Sequence, residues 1–138
     1  MKVDSKQNTV VRGKARRFED LAVWRKAHQL TIEIYRITKS YPREEKFGLV
    51  SQMRRAAVSI PANIAEGFKK RGQKNKANFY NIAQGSLEEL RYYITLSKDL
   101  GYLSKADSKQ SIVDKVEAAV DEVGKVLHSL VKAIGVYE

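Results

Sequence analysis

A chain of 138 residues with 43% apolar and 30% charged residues has the size and make-up of one globular domain, and its lack of cysteine excludes disulfides, thiolate metal sites and cysteine nucleophiles. Two prolines and eight glycines argue against disorder and against a many-turned β architecture. The net charge of +10 comes entirely from two short segments, residues 1–17 and residues 69–76, each carrying +5.

The first element in chain order is a basic arm over residues 1–17, expected to be flexible, with Lys2, Lys6, Arg12, Lys14, Arg16 and Arg17 against Asp4. No apolar stretch follows it that would make a secretory signal, and no window holds the roughly 18 consecutive apolar residues of a membrane span. A cytoplasmic location with no membrane partner is the expectation.

Residues 18–138 form the expected bundle domain. Apolar and aromatic residues recur at three- and four-residue steps from about Glu19 to Ser40 (Leu21, Trp24, His28, Thr31, Ile34, Thr38), which predicts a helix ending before Pro42. A second helix is predicted from about Lys46 to Lys70, with Leu49, Met53, Ala56, Ile60, Ile64 and Phe68 on one face and Gly72 as its stop. The third, from about Asn75 to Leu100, carries Phe79, Leu87, Leu90 and Ile94 and closes at Gly101. The fourth starts near Ser104, a candidate N-cap, and uses Val116, Val120, Val123, Leu127 and Ile134. No stretch alternates with period two long enough to make a strand. The fold class is therefore all-α, an up-down-up-down antiparallel four-helix bundle.

That topology puts the N-terminal arm and the connection between the second and third helices at the same end of the bundle. The other end, with "PREEK" and "LSKADSK", is near neutral. A rod with one basic end attracts polyanions by counterion release. Arg12, Lys14, Arg16, Arg17, Lys69, Lys70, Arg71, Lys74 and Lys76 are the candidate nucleic-acid-binding residues, with structured RNA favoured, and solubility or an acidic protein partner as alternatives. Tyr80, Tyr92 and Tyr93 would add stacking only where they face outward near that end.

The second helix is apolar around most of its circumference. Ala57, Val58, Pro61, Ala62 and Ala65 flank its core stripe, more apolar surface than one bundle needs, which points to a homo-oligomer interface. Pro61 withholds an amide from the carbonyl of Ala57, and Ser59, Asn63 or water are the candidates to take it up, with a bend expected. Gly85 hints at a close helix approach.

Catalytic arrangements are absent from the pattern. His28 and His128 sit on different helices outside any H-E-x-x-H or E-x-x-H motif, and the carboxylate pairs are adjacent in sequence, so they diverge on a helix. No phosphate-cradling glycine loop or nucleophile elbow occurs. The expectation is a protein that is not an enzyme, with no metal and no cofactor.

"FEDLAVW" (18–24), "SQMRRAAVSIPANIAEGF" (51–68), "NIAQGSLEEL" (81–90) and "KDLGYL" (98–103) resemble the bacterial four-helix bundle family encoded in intervening sequences of 23S ribosomal RNA genes. The resemblance covers about residues 18–135. It implies a homopentamer of four-helix subunits with a nucleic-acid-binding role and carries no catalytic residue. Accessory variability proteins of diversity-generating retroelements are wider relations, and they imply a reverse transcriptase as an alternative partner. The basic arm before "FEDL" departs from the family pattern.

Overall fold

The computed structural model describes residues 15–104 and 110–135, and they fold into four long helices: α1 (Ala22–Thr38), α2 (Leu49–Lys69), α3 (Gln73–Asp99) and α4 (Gln110–Ile134). No strand occurs among the described residues. One-turn 3₁₀ segments at Phe18–Asp20 and Arg43–Glu45 precede α1 and α2, which is why both helices start three residues later than the apolar spacing predicts. The predicted start of the last helix near Ser104 falls beside residues 105–109, outside the described residues.

Each helix packs on the next and α4 returns to α1, while the diagonal pairs stay apart. Cross-links between neighbours fall on one helix as they rise on the other. Thr38 meets Arg54 and Thr31 meets Ala57 between α1 and α2, Ser97 meets Met53 and Ser86 meets Ser59 between α3 and α2, and Lys98 meets Glu117 and Arg91 meets Asp121 between α3 and α4. The bundle is therefore antiparallel throughout. Its axis is filled by the predicted stripes, among them Ile34, Met53, Ile64, Leu90, Val120 and Leu127, all fully buried. Burying such side chains stabilises the fold by about 1.5–3 kcal/mol each.

The near-neutral end is locked by polar contacts between its two connections. The Tyr102 hydroxyl donates to Glu45 (2.9 Å), the Tyr41 hydroxyl donates to the buried Ser97 (2.7 Å), and the Tyr41 and Tyr102 rings lie 5.1 Å apart. At the opposite end Gly67 of α2 lies tight against α3, where a Cβ would stand 2.6 Å from Cε1 of the buried Tyr80. The close approach predicted at Gly85 is not there, because a Cβ at Gly85 would meet nothing within 4 Å. Tyr80 is thus a core residue rather than a stacking surface, and Tyr93 is tied to Glu89 (2.7 Å), leaving only Tyr92 of the three tyrosines widely exposed.

Burial pushes Tyr41 and Tyr80 each up to about 12. In the unfolded chain a tyrosine ionises near pH ~10, so the neutral phenol is favoured in the fold. The stability this represents is complete below pH ~10 and is lost as pH rises toward about 12. Denaturant melts taken across that window are expected to lose stability steadily, with tyrosinate absorbance showing Tyr41 and Tyr80 ionising last. A flat profile up to pH ~12 would contradict it.

α2 continues through Pro61 as one helix from Leu49 to Lys69. The carbonyl that the proline leaves unpaired, that of Ala57, accepts a hydrogen bond from the Thr31 hydroxyl of α1 (3.0 Å), which also donates to Ala27 on its own helix (2.9 Å). Neither of the expected local donors does this: the Asn63 amide donates to Ser59 instead, to its carbonyl (2.8 Å) and its hydroxyl (3.0 Å). Ala57, whose carbonyl meets Thr31 of α1, and Pro61 are both buried within the protomer and have no surface to offer a second subunit. The predicted oligomer interface is corrected at these two positions, because both residues are buried inside the bundle.

Candidate nucleic-acid interface

The groove at the basic end is built from two directions. The segment before α1 is tied down by Asp20, whose carboxylate accepts from the amides of Arg16 (2.9 Å) and Arg17 (3.2 Å), bonds that hold it below its ordinary range. Half-buried Ala15 packs on the core, so the chain is already in contact with the bundle before the predicted domain boundary at 18. The last turns of α2 come up alongside. Together they enclose a shallow groove of about 550 Å³.

Arg16, Arg17 and Lys69 line this groove, so one part of each basic segment reaches the same place. Its apolar walls are the rings of Phe18 and Phe68 and the methyl groups of Ala62 and Ala65. Phe18 is backed by Trp24 (ring centroids 4.9 Å), which in turn stacks on His28 (4.9 Å, 10°). Glu19 and Glu66 also lie in it; Glu19 is 3.6 Å from Arg17, and Glu66 is 3.8 Å from Lys70. Both pairs are exposed and contribute well under ~1 kcal/mol.

The remaining cations of the second basic segment differ in what they do. Lys69, Arg71 and Lys74 are exposed and have no ion pair or hydrogen-bond partner among the described residues. Lys70 pairs with Glu66 and lies over the Phe79 ring (5.1 Å). Lys76 turns inward. Its ammonium donates to the carbonyls of Gly67 (3.2 Å) and Phe68 (2.7 Å), capping the C-terminal end of α2, where the helix dipole favours a cation. Burial lowers its pKa, and its role in the structure is to close the turn between α2 and α3. Arg12 and Lys14 lie outside the described residues.

Sequence reasoning missed Phe18, Phe68, Glu19 and Glu66 as groove residues. Phe68 follows the core stripe of α2 and so reads as pure core. The signal that reveals them is the antiparallel register, which sets residue 18 beside residues 62–69.

The remaining predicted residues lie elsewhere. Val58 of α2 is 42% exposed and forms, with Tyr35 of α1 (40%) and Phe47 on the turn before α2 (87%), an apolar patch. Arg54 lies over the Tyr35 ring (4.5 Å) and donates to Thr38 (2.9 Å), which ties it to the end of α1. A larger cavity, about 730 Å³, lies between α3 and α4, where Arg91 is held between Asp121 (2.6 Å) and Glu88 (3.3 Å). His128 lines that cavity, far in sequence and on a different helix from His28. No three His, Asp or Glu side chains among the described residues gather as a metal site, and no described helix is long and apolar enough to cross a membrane.

The sequence profile of the 23S rRNA-intervening sequence protein family matches residues 19–129. The chain belongs to this family. Its fold is also that of a crystal structure from Bacteroides thetaiotaomicron, described as a protein of unknown function from the S23 ribosomal protein family. The two are 25% identical with a TM-score of 0.71, over 80% of this chain and 99% of the other. No match was found among curated proteins. The family match begins at Glu19, so the groove joins a family element, the end of α2, to the basic segment that precedes the match.

Proposed function

We propose that this family member is a non-enzymatic, self-associating bundle that binds nucleic acid, RNA in preference to DNA, through its basic end. The observation that carries the reading is the meeting of Arg16 and Arg17 with Lys69 in one groove, with Arg71 and Lys74 exposed on the turn that follows. Like charges gathered at one end of a rod raise the local potential, whereas the same cations interspersed with acids would not. The family name refers to 23S rRNA, which favours RNA as the polyanion.

Self-association is supported by the patch of Tyr35, Phe47 and Val58, where three large apolar side chains are exposed on α1, on the turn before α2 and on α2. The family resemblance favours a homopentamer. In a closed ring every subunit contributes the same pair of surfaces, so the basic ends repeat around one axis and act together.

The test is a fluorescence anisotropy titration of RNA at several salt concentrations, with the mass measured by light scattering. Affinity is expected to fall linearly as log salt rises, and the mass to be five times the 15.7 kDa protomer. Absence of binding at low salt would overturn the nucleic-acid reading, and a monomer mass would overturn self-association.

A further inference from the structure

We infer that the groove between residues 16–19 and the end of α2 holds one unpaired nucleotide of an RNA strand, with its base inside and its phosphates on the bordering cations. The inference rests on the reading of the basic end given above and goes beyond it by naming what the groove selects.

Counterion release alone asks only for exposed cations, and the bordering Arg16, Arg17 and Lys69 supply them. The interior is different. Phe18, Phe68, Ala62 and Ala65 give it apolar walls, which a phosphate does not use and a planar base does. Phe18 is held in place by the Trp24 ring behind it, and Phe68 carries the Lys76 ammonium 5.5 Å from its centroid, so the two aromatic walls are positioned before any ligand arrives. About 550 Å³ suits one nucleotide and is far too small for a duplex.

Glu19 and Glu66 point the same way. Two carboxylates among three cations repel phosphate, so a site made only for backbone would be better without them. A carboxylate accepts hydrogen bonds from the amino and ring N–H groups of a base. Those donors are engaged with the opposite strand in a duplex and are free in an unpaired nucleotide, and the bases of an RNA helix are out of reach of side chains in its deep groove. Apolar walls, acceptors inside and cations at the border together describe a base with a phosphate attached.

The experiment uses the full chain and compares a labelled, unstructured RNA strand with a blunt RNA duplex of the same length at one salt concentration. The strand is expected to bind about tenfold more tightly, the effect of one stacked base. Ala65→Leu, which fills the groove, and Phe18→Leu, which removes a stacking face while keeping apolar bulk, are each expected to abolish that preference by weakening strand binding about tenfold. Should Ala65→Leu alter the oligomer mass, Phe18→Leu decides alone, because it leaves the alanine face of α2 intact. Equal affinity for strand and duplex in the native chain would overturn the inference, as would an undiminished preference in Phe18→Leu. If strand and duplex bind equally and both are lost when Lys69, Arg71 and Lys74 are neutralised, the basic-end reading stands and this one falls. If neither RNA binds, both fall.

Discussion

Replacing Lys69, Arg71 and Lys74 together with glutamine is expected to weaken RNA binding roughly 50-fold at about 0.15 M salt and to flatten the slope of log affinity against log salt by about 2. The estimate follows from about 0.7 counterions released per contact on a single strand, for three contacts. These three cations are chosen because they are exposed and have no partner among the described residues, so nothing in the fold depends on them. Lys76 belongs to the same run of positive charge and is the internal contrast. Lys76→Gln removes the ammonium that caps α2 at Gly67 and Phe68, so it is expected to lower thermal stability and to leave the salt slope nearly unchanged. An unaltered slope in the triple variant, or a slope change in Lys76→Gln equal to a third of it, would mean that the cations are not divided as the structure divides them.

The second large effect is predicted at Thr31. Thr31→Val keeps the shape of the side chain and removes the hydroxyl that serves the Ala57 carbonyl, leaving a buried acceptor without a partner at a cost of about 2 kcal/mol. Pro61 is the reason that carbonyl needs an outside donor. In a Pro61→Ala background the amide of residue 61 returns to the helical ladder and pairs with Ala57 itself. The cost of Thr31→Val is then expected to fall by about 1 kcal/mol, a coupling that a double-mutant cycle of urea melts measures directly. Additive effects of the two substitutions would show that the Thr31 hydroxyl and the missing amide do not share one acceptor.

This pairing shows what kind of information the sequence carried and what kind it lacked. The apolar stripe through Met53, Ile60 and Ile64 stays in phase across Pro61, and that alone is enough to keep α2 as one helix. Which group satisfies Ala57 is a question of what lies on the neighbouring helix, and Thr31 is 26 positions away. Local reasoning looked to Ser59 and Asn63 because they are the polar residues within a turn. The same limit explains the glycines. Nothing in the sequence marks Gly67 rather than Gly85 as a packing position, yet of the two only Gly67 faces another helix, where the Tyr80 ring occupies the space of its missing side chain.

The candidate site divides in the same way. Segregation of charge into residues 1–17 and 69–76 was plain in the sequence, and the antiparallel topology sufficed to bring Arg16 and Arg17 to the same groove as Lys69. Hidden were Lys76 as a cap, Phe18 and Phe68 as groove walls, and the two carboxylates inside a basic site.

By itself the sequence determined the four helices, their antiparallel order and the end where the charge collects, because these follow from a repeat of about 3.6 residues, short connections and the position of each cation along the chain. Only the tertiary structure decided which face of α2 is spent on α1 and which remains at the surface, and which cations stay free. Those outcomes depend on the rotation of each helix about its own axis and on distances of a few tenths of an ångström between side chains remote in sequence, and the packing of the whole bundle sets both.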